Sequence, residues 1–293
     1  YYPRIERKSA SEKQKERLNV LSLFSGCGGM DLGFEGGFSV LPQSINEILT
    51  PHFIDKKEKN GFVKLKKTKF KTVFANDILT DARNAWVNYF SKRGHHAENF
   101  YKESIVDLVK MYRSGVNVFP EDVDIVTGGF PCQDFSVAGK RNGFNSHKNH
   151  KGELIENKEA SVETRGQLYM WMKEVIEITQ PKIFIAENVK GLVNLGDVKS
   201  IIQNDFSSAN GNGYIVLDPQ VLHSADFGVP QSRERVIFIG IKKSALKKSA
   251  LAELEKETIS ELYNPYPKPT HSYTNEGEEL KHFVQLKDVF KHL

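Results

Sequence analysis

Residues 128–136 contain a candidate nucleophile, Cys132. It follows a short apolar run, residues 123–126, that predicts a buried strand bounded by glycines. Glycine and proline neighbours hold the sulfur at a strand-to-loop junction, where a thiolate would attack electron-poor carbon. A lone cysteine is more often a small buried residue in a turn. The neighbouring motifs therefore decide between the two interpretations.

A carboxyl group follows a second apolar run. Glu187, with Asn188 and Val189, comes directly after residues 183–186, which predict an uncharged buried strand. A carboxyl group at that position could share a proton with a substrate nitrogen. A helix N-terminal cap explains the same sequence equally well.

Two arginines lead into a third apolar run, residues 236–240. Strand alternation places Arg233 and Arg235 on one face together with Gln231. Two guanidinium groups and an amide suit a polar anionic or heterocyclic ligand, and a solvated edge strand is the alternative.

A glycine-rich turn, residues 25–29, separates the apolar run 18–24 from a helix predicted to begin at Met30. This order is typical of a nucleotide-binding α/β unit. Asp77 ends the next predicted strand, where a carboxylate accepts hydrogen bonds from ribose hydroxyls. A lysine-rich insertion, residues 41–71, places Asp77 farther along the chain than the usual spacing of about twenty residues. The turn has no P-loop lysine, and a nucleoside cofactor without pyrophosphate fits as well as a dinucleotide.

Alternating strands and helices must position these groups. They predict an α/β fold with a mostly parallel sheet and helices on both faces. Ligand sites in such sheets lie at the carboxyl ends of the strands. The polar residues 137–164 predict a long lid or binding loop, and residues 242–262 predict a charged amphipathic helix.

The composition is that of a globular protein: 293 residues, 39% hydrophobic and 27% charged. Two cysteines cannot form a disulfide scaffold, so a reducing intracellular compartment is expected. No apolar stretch reaches transmembrane length. A net charge of +4 permits a polyanionic partner without requiring one.

Taken together, the motifs resemble those of the DNA cytosine-5 methyltransferase family, bacterial restriction-modification type. They occur in the family's order and are Phe24-x-Gly26-x-Gly28-Gly29, Asp77, Gly129-Phe130-Pro131-Cys132-Gln133, Arg165-Gly166-x-Leu168, Glu187-Asn188-Val189 and Gln231-x-Arg233-x-Arg235. The match covers about residues 18–241 and is specific as a set. It implies a Rossmann-like S-adenosylmethionine-dependent methyltransferase of the bacterial cytoplasm that associates with the nucleoid when it acts.

The resemblance implies methyl transfer to carbon 5 of a cytosine flipped out of double-stranded DNA. Cys132 would add to carbon 6 of the ring. Glu187 would hold ring nitrogen 3 and the exocyclic amine, and Arg235, with Arg233, would contact the carbonyl oxygen.

It also implies the residues that contact the cofactor and the DNA. Those for S-adenosylmethionine are Phe24, Ser25, Gly26, Cys27, Gly28, Gly29, Asp77, Ile78, Ile105, Pro131 and Leu168. Those for DNA are Gln133, Ser136, Lys140 and Arg141, in or beside a loop that would close over the duplex. The family usually has an aspartate before the isoleucine of its third motif, whereas this chain has Glu103-Ser104-Ile105, so Ile105 is the safer assignment.

Three regions are expected: a charged extension (1–17), a catalytic and cofactor-binding domain (18–241), and a charged helix leading to a missing target-recognition domain (242–293). The family's target-recognition region and closing motifs have no counterpart in this sequence. We therefore expect either a split enzyme with a partner chain or a fragment, with little sequence specificity alone. An RNA (tRNA) cytosine methyltransferase and a non-catalytic subunit are the alternatives. Gln133 argues against the first, and Cys132, Glu187 and Arg235 together argue against the second.

Overall fold

The computed structural model describes residues 16–131, 168–274 and 279–291. Its strands are β1 (Leu18–Leu23), β2 (Ser39–Val40), β3 (Ile54–Lys57), β4 (Val63–Leu65), β5 (Phe70–Asn76), β6 (Phe100–Tyr101), β7 (Ile125–Gly128), β8 (Ile183–Val189), β9 (Tyr214–Val216), β10 (Gln220–His223), β11 (Glu234–Lys242), β12 (His271–Ser272) and β13 (Lys281–His282). Its α-helices are α1 (Gly29–Glu35), α2 (Thr80–Ser91), α3 (Ile105–Arg113), α4 (Leu168–Thr179), α5 (Val198–Ser207), α6 (Ala209–Asn212), α7 (Lys248–Leu254) and α8 (Leu286–Phe290).

The main sheet has the order β10-β11-β8-β7-β1-β5-β6, and β9 also pairs with β11. The five strands from β8 to β6 are parallel. Strand β11 runs antiparallel to β8, β9 and β10. The predicted α/β class with a mostly parallel sheet is therefore confirmed.

Helices pack on both faces of this sheet, because alternate side chains of each strand point to opposite faces. In β8, Phe184 and Ala186 pack in the same cluster as residues of α3, α4 and α5. The intervening Ile183 and Ile185 pack in another cluster with Leu254 of α7. Because successive side chains point to opposite faces, one strand serves both layers.

The lysine-rich insertion is predicted as a surface segment, but it contains β3 and β4, which form a small antiparallel sheet of order β2-β4-β3 with the strand that precedes the insertion. Val63 of this sheet is 1% exposed. The buried amide of Asn46 donates to the carbonyl oxygens of Thr270 (3.0 Å) and Glu279 (2.7 Å). The insertion therefore packs against a distant part of the chain, and its strands are too short to show a period in the sequence.

The predicted helix over residues 242–262 is wrong in extent, since only Lys248–Leu254 forms an α-helix. After it the chain folds back, and Leu254 and Ile259 both pack on the main sheet. The charge pattern predicts a longer helix, but a turn after Leu254 lets both apolar side chains pack on the sheet, and the helix therefore ends there. No helix among the described residues is both long and apolar enough to cross a membrane.

Candidate active site

The carboxyl ends of the parallel strands form one edge of the sheet. Leu23, the last residue of β1, pairs with Asn76 of β5 and with Gly128 of β7. At the same edge Val189, the last residue of β8, pairs with Arg235 near the start of β11. The glycine turn, Asp77, Glu187 and the two arginines therefore share this edge.

Asp77 is oriented by the glycine turn. Its Oδ2 accepts a hydrogen bond from the backbone N of Gly26 (3.0 Å), and its Oδ1 accepts one from the backbone N of Leu79 (3.0 Å). A carboxylate offers about four lone-pair positions, so each oxygen retains one for a ligand hydroxyl. These bonds fix the carboxylate at the turn without exhausting it.

The turn is open on its outer side. A Cβ built at Gly26 or Gly29 would meet no heavy atom within 4 Å. At Gly28, whose φ is +88°, a Cβ would lie 2.4 Å from the Phe90 ring. The turn thus packs closely on α2 and leaves backbone accessible above it, as a nucleoside-containing ligand requires.

The other implied cofactor residues differ in exposure. Cys27 is exposed and Ile78 is 38% exposed. Phe24, with φ of +53°, and Pro131 are half-buried, and Ser25 Oγ donates to Ser22 O (3.1 Å). Ile105 (3% exposed) and Leu168 (4%) lie in the core and present little surface to a ligand.

Glu187 carries an ion pair with both arginines. Its Oε1 lies 2.8 Å from Nε of Arg235 and 3.6 Å from Nη2 of Arg233. A Cβ built at Gly129 would lie 3.2 Å from Glu187 Oε2, so the glycine lets the carboxylate lie against the chain that leads to Cys132. Glu187 belongs to β8 rather than following it, as the sequence had suggested.

Asn188 also joins β8 to the segment that leads to Cys132. It is 1% exposed, and its Nδ2 donates to the carbonyl oxygen of Phe130 (3.1 Å). Its Oδ1 accepts from the backbone N of Val189 (2.8 Å). The asparagine therefore holds the strand end to the segment before Cys132.

A family model described as "C-5 cytosine-specific DNA methylase" matches residues 59–291. The chain belongs to the C-5 cytosine-specific DNA methylase family. The family membership thus agrees with the resemblance drawn from the sequence motifs.

Curated type II methyltransferases are similar to this protein over most of the chain. Type II methyltransferase M.BsuRI of Bacillus subtilis is 37% identical over 278 residues, which cover 93% of this chain and 50% of the relative. M.BspRI of Lysinibacillus sphaericus is 33% identical over 279 residues, covering 94% and 52%. A solved DNA modification methyltransferase from an E. coli prophage is 26% identical with a TM-score of 0.48, covering 83% and 52%. The chain spans about half the length of the curated relatives it matches.

Part of the predicted site lies outside the described residues. These positions are Cys132, Gln133, Ser136, Lys140 and Arg141, together with the predicted loop at 137–164. Their assignments stay predictions.

Sequence reasoning missed two buried polar groups beside the turn. Asn76 Nδ2 donates to the carbonyl oxygens of Tyr101 (3.0 Å) and Glu103 (2.8 Å), which ties β5 to β6. Asp31 accepts from Trp86 Nε1 (2.7 Å), and burial raises its pKa to about 6. Asn76 directly precedes Asp77, and that adjacency was the available signal. Nothing in the sequence distinguishes Asp31 from an exposed acidic residue in the first turn of a helix.

Proposed function

We propose that this protein transfers a methyl group from S-adenosylmethionine to carbon 5 of cytosine in double-stranded DNA. The observation that carries the proposal is the convergence of Glu187, Arg233 and Arg235 beside Gly129, three residues before Cys132. The names of the curated relatives, which are type II methyltransferases, support a restriction-modification role. The family description, which names DNA, favours DNA over the RNA alternative.

Each group has a defined task. A stacked cytosine must be flipped out of the duplex, which costs a few kcal/mol. The Cys132 thiolate then forms a bond to carbon 6, and the electrons of the 5,6 double bond move towards carbon 5. Glu187 holds ring nitrogen 3 and the exocyclic amine, and Arg235 holds the carbonyl oxygen, so the charge that develops in the ring is stabilised.

The cofactor site lies at the glycine turn. Asp77 would bind the ribose hydroxyls through its remaining lone pairs, and the open backbone at Gly26 and Gly29 would lie along the methionine portion. When bound, S-adenosylmethionine supplies an electrophilic methyl group. Loss of the proton from carbon 5 and elimination of the Cys132 sulfur restore the aromatic ring.

We also propose that target recognition requires residues additional to these, in a further segment or a partner chain. The support is that the chain spans about half the length of its curated relatives. Base contacts rather than backbone contacts specify a site. We therefore expect weak or no methylation by these residues alone, and robust site-specific methylation by them would contradict this proposal.

A duplex containing 5-fluorocytosine tests the reaction. Fluorine at carbon 5 cannot leave as a proton does, so a working enzyme remains covalently attached to the DNA. Denaturing electrophoresis should show this adduct with the wild-type protein at its full natural length and S-adenosylmethionine. Cys132→Ser is the matched control and should give none. Adduct formation that persists in the serine variant, or that is missing in the wild type, would refute the assignment.

A further inference from the structure

His223 and Ser224 contact the three residues that precede the arginine strand. Backbone pairing of β10 with β11 ends at His223, opposite Glu234. Beyond that point Ser224 makes the hydrogen bonds to the other segment. Its backbone N donates to Arg233 O (2.9 Å), and its Oγ donates to Gln231 O (2.6 Å). His223 Nε2 lies 3.0 Å from Ser232 Oγ. The two residues therefore extend the ladder past the end of the strand.

Asp226 orients the His223 ring. Its Oδ1 lies 3.2 Å from His223 Nδ1, and its backbone carbonyl accepts from Thr270 N (2.8 Å). An ionised carboxylate only accepts hydrogen bonds, so Nδ1 carries the ring proton. In the neutral ring Nε2 is then the acceptor, and the Ser232 hydroxyl donates to it. The donor and acceptor roles of all three side chains follow from this tautomer.

The two arginines are held in different ways. Arg235 lies inside the sheet, paired with Val189 on one side and Leu222 on the other. Arg233 precedes the strand, and its guanidinium is more exposed and farther from Glu187 than that of Arg235, 3.6 Å against 2.8 Å. The direction of Arg233 therefore depends on how residues 231–233 are anchored, whereas that of Arg235 does not.

We propose that His223, oriented by Asp226, is a positioning residue that acts through Ser232 to direct Arg233 towards Glu187. The inference rests on the proposed function, because Glu187 is taken as the group that holds the cytosine. Hydrolases use the same three side-chain types as a nucleophilic triad. In this chain the carbonyl oxygens of both neighbours of Ser232 accept hydrogen bonds from Ser224. The Ser232 hydroxyl therefore belongs to an anchored backbone segment, and we take its role as fixing that segment.

The test compares His223→Ala with His223→Gln in the protein at its full natural length, using adduct formation on the 5-fluorocytosine duplex. With alanine, the rate constant at saturating DNA should fall about tenfold, equal to about 1.4 kcal/mol, while the DNA concentration at half-saturation is unchanged. The glutamine amide can still bond to Ser232, so this variant should stay within about threefold of the wild type. A merely structural role predicts neither the rescue nor the split between rate and affinity.

Double-mutant cycles locate the effect. On an Arg233→Ala background, His223→Ala should cost little more, whereas on an Arg235→Ala background it should keep its full effect. Equal effects on the two backgrounds, or wild-type rates for His223→Ala, would overturn this proposal alone. Labelling of Ser232 by a fluorophosphonate would also overturn it, in favour of a nucleophilic role. A wild-type protein that forms no adduct would instead overturn the proposed function, and this inference with it.

Discussion

The contact between Asn188 and Phe130 predicts a measurable loss of stability. In Asn188→Ala the Phe130 carbonyl loses the Nδ2 donor at 3.1 Å, and the Val189 amide loses its acceptor at 2.8 Å. Asn188 is 1% exposed, so water cannot replace the donor without rearrangement. A buried group left unsatisfied costs about 1–3 kcal/mol, and we expect a loss of about 2–3 kcal/mol in the free energy of unfolding.

Urea unfolding measures this loss. For a chain of this size the dependence of unfolding free energy on urea is about 3 kcal/mol per molar, so the midpoint should fall by about 0.7–1 M. Asn60→Ala is the matched control, because Asn60 is exposed and its Oδ1 accepts from the Phe62 amide (3.1 Å). Its midpoint should stay close to that of the wild type. Equal midpoints for the two variants would show that the buried contact contributes nothing.

Three further predictions follow from local geometry. Gly28→Ala places a Cβ 2.4 Å from the buried Phe90 ring at φ of +88°, so unfolding free energy should fall by about 1–3 kcal/mol in urea titrations. Gly29→Ala, with open space, should lose less. Burial raises the Asp31 pKa from 3.8 to about 6, so the folded state binds this proton more tightly than the unfolded state does. Stability should therefore fall by about 3 kcal/mol as pH rises from about 4 to 6, and Asp31→Asn should flatten that profile. In the protein at its full natural length, Arg235→Ala removes the guanidinium and should slow methyl transfer about 10²- to 10³-fold in a radiolabel assay; an unchanged rate would contradict its role.

The sheet edge could be predicted from sequence because it depends on pattern alone. Short apolar runs locate β1, β7 and β8, and parallel strands bring their carboxyl ends together. That reasoning places the glycine turn and Glu187 on one edge, where the structure has them. Arg235 reaches the same edge because β11 is antiparallel, and only the strand pairing shows this.

Other features depend on contacts between residues distant in sequence. Strand β10 was not predicted, because its four residues are exposed or half-buried and lack a clear apolar alternation. The roles of Asn76 and Asn188 are hydrogen bonds to carbonyl oxygens of neighbouring segments, and a backbone acceptor leaves no mark in the sequence. The same holds for His223, whose partners are set by the turn that follows β10.

The bonds from Asn46 to Thr270 and Glu279 also order events during synthesis. They join residues 224 and 233 positions apart, whereas the pairing of β1 with β5 joins much closer segments. The ribosome adds about 5–20 residues per second, so the partners of Asn46 emerge about 10–50 s after it does. The central sheet can begin to assemble within that interval, and the insertion becomes fully packed only after residue 279 has been made.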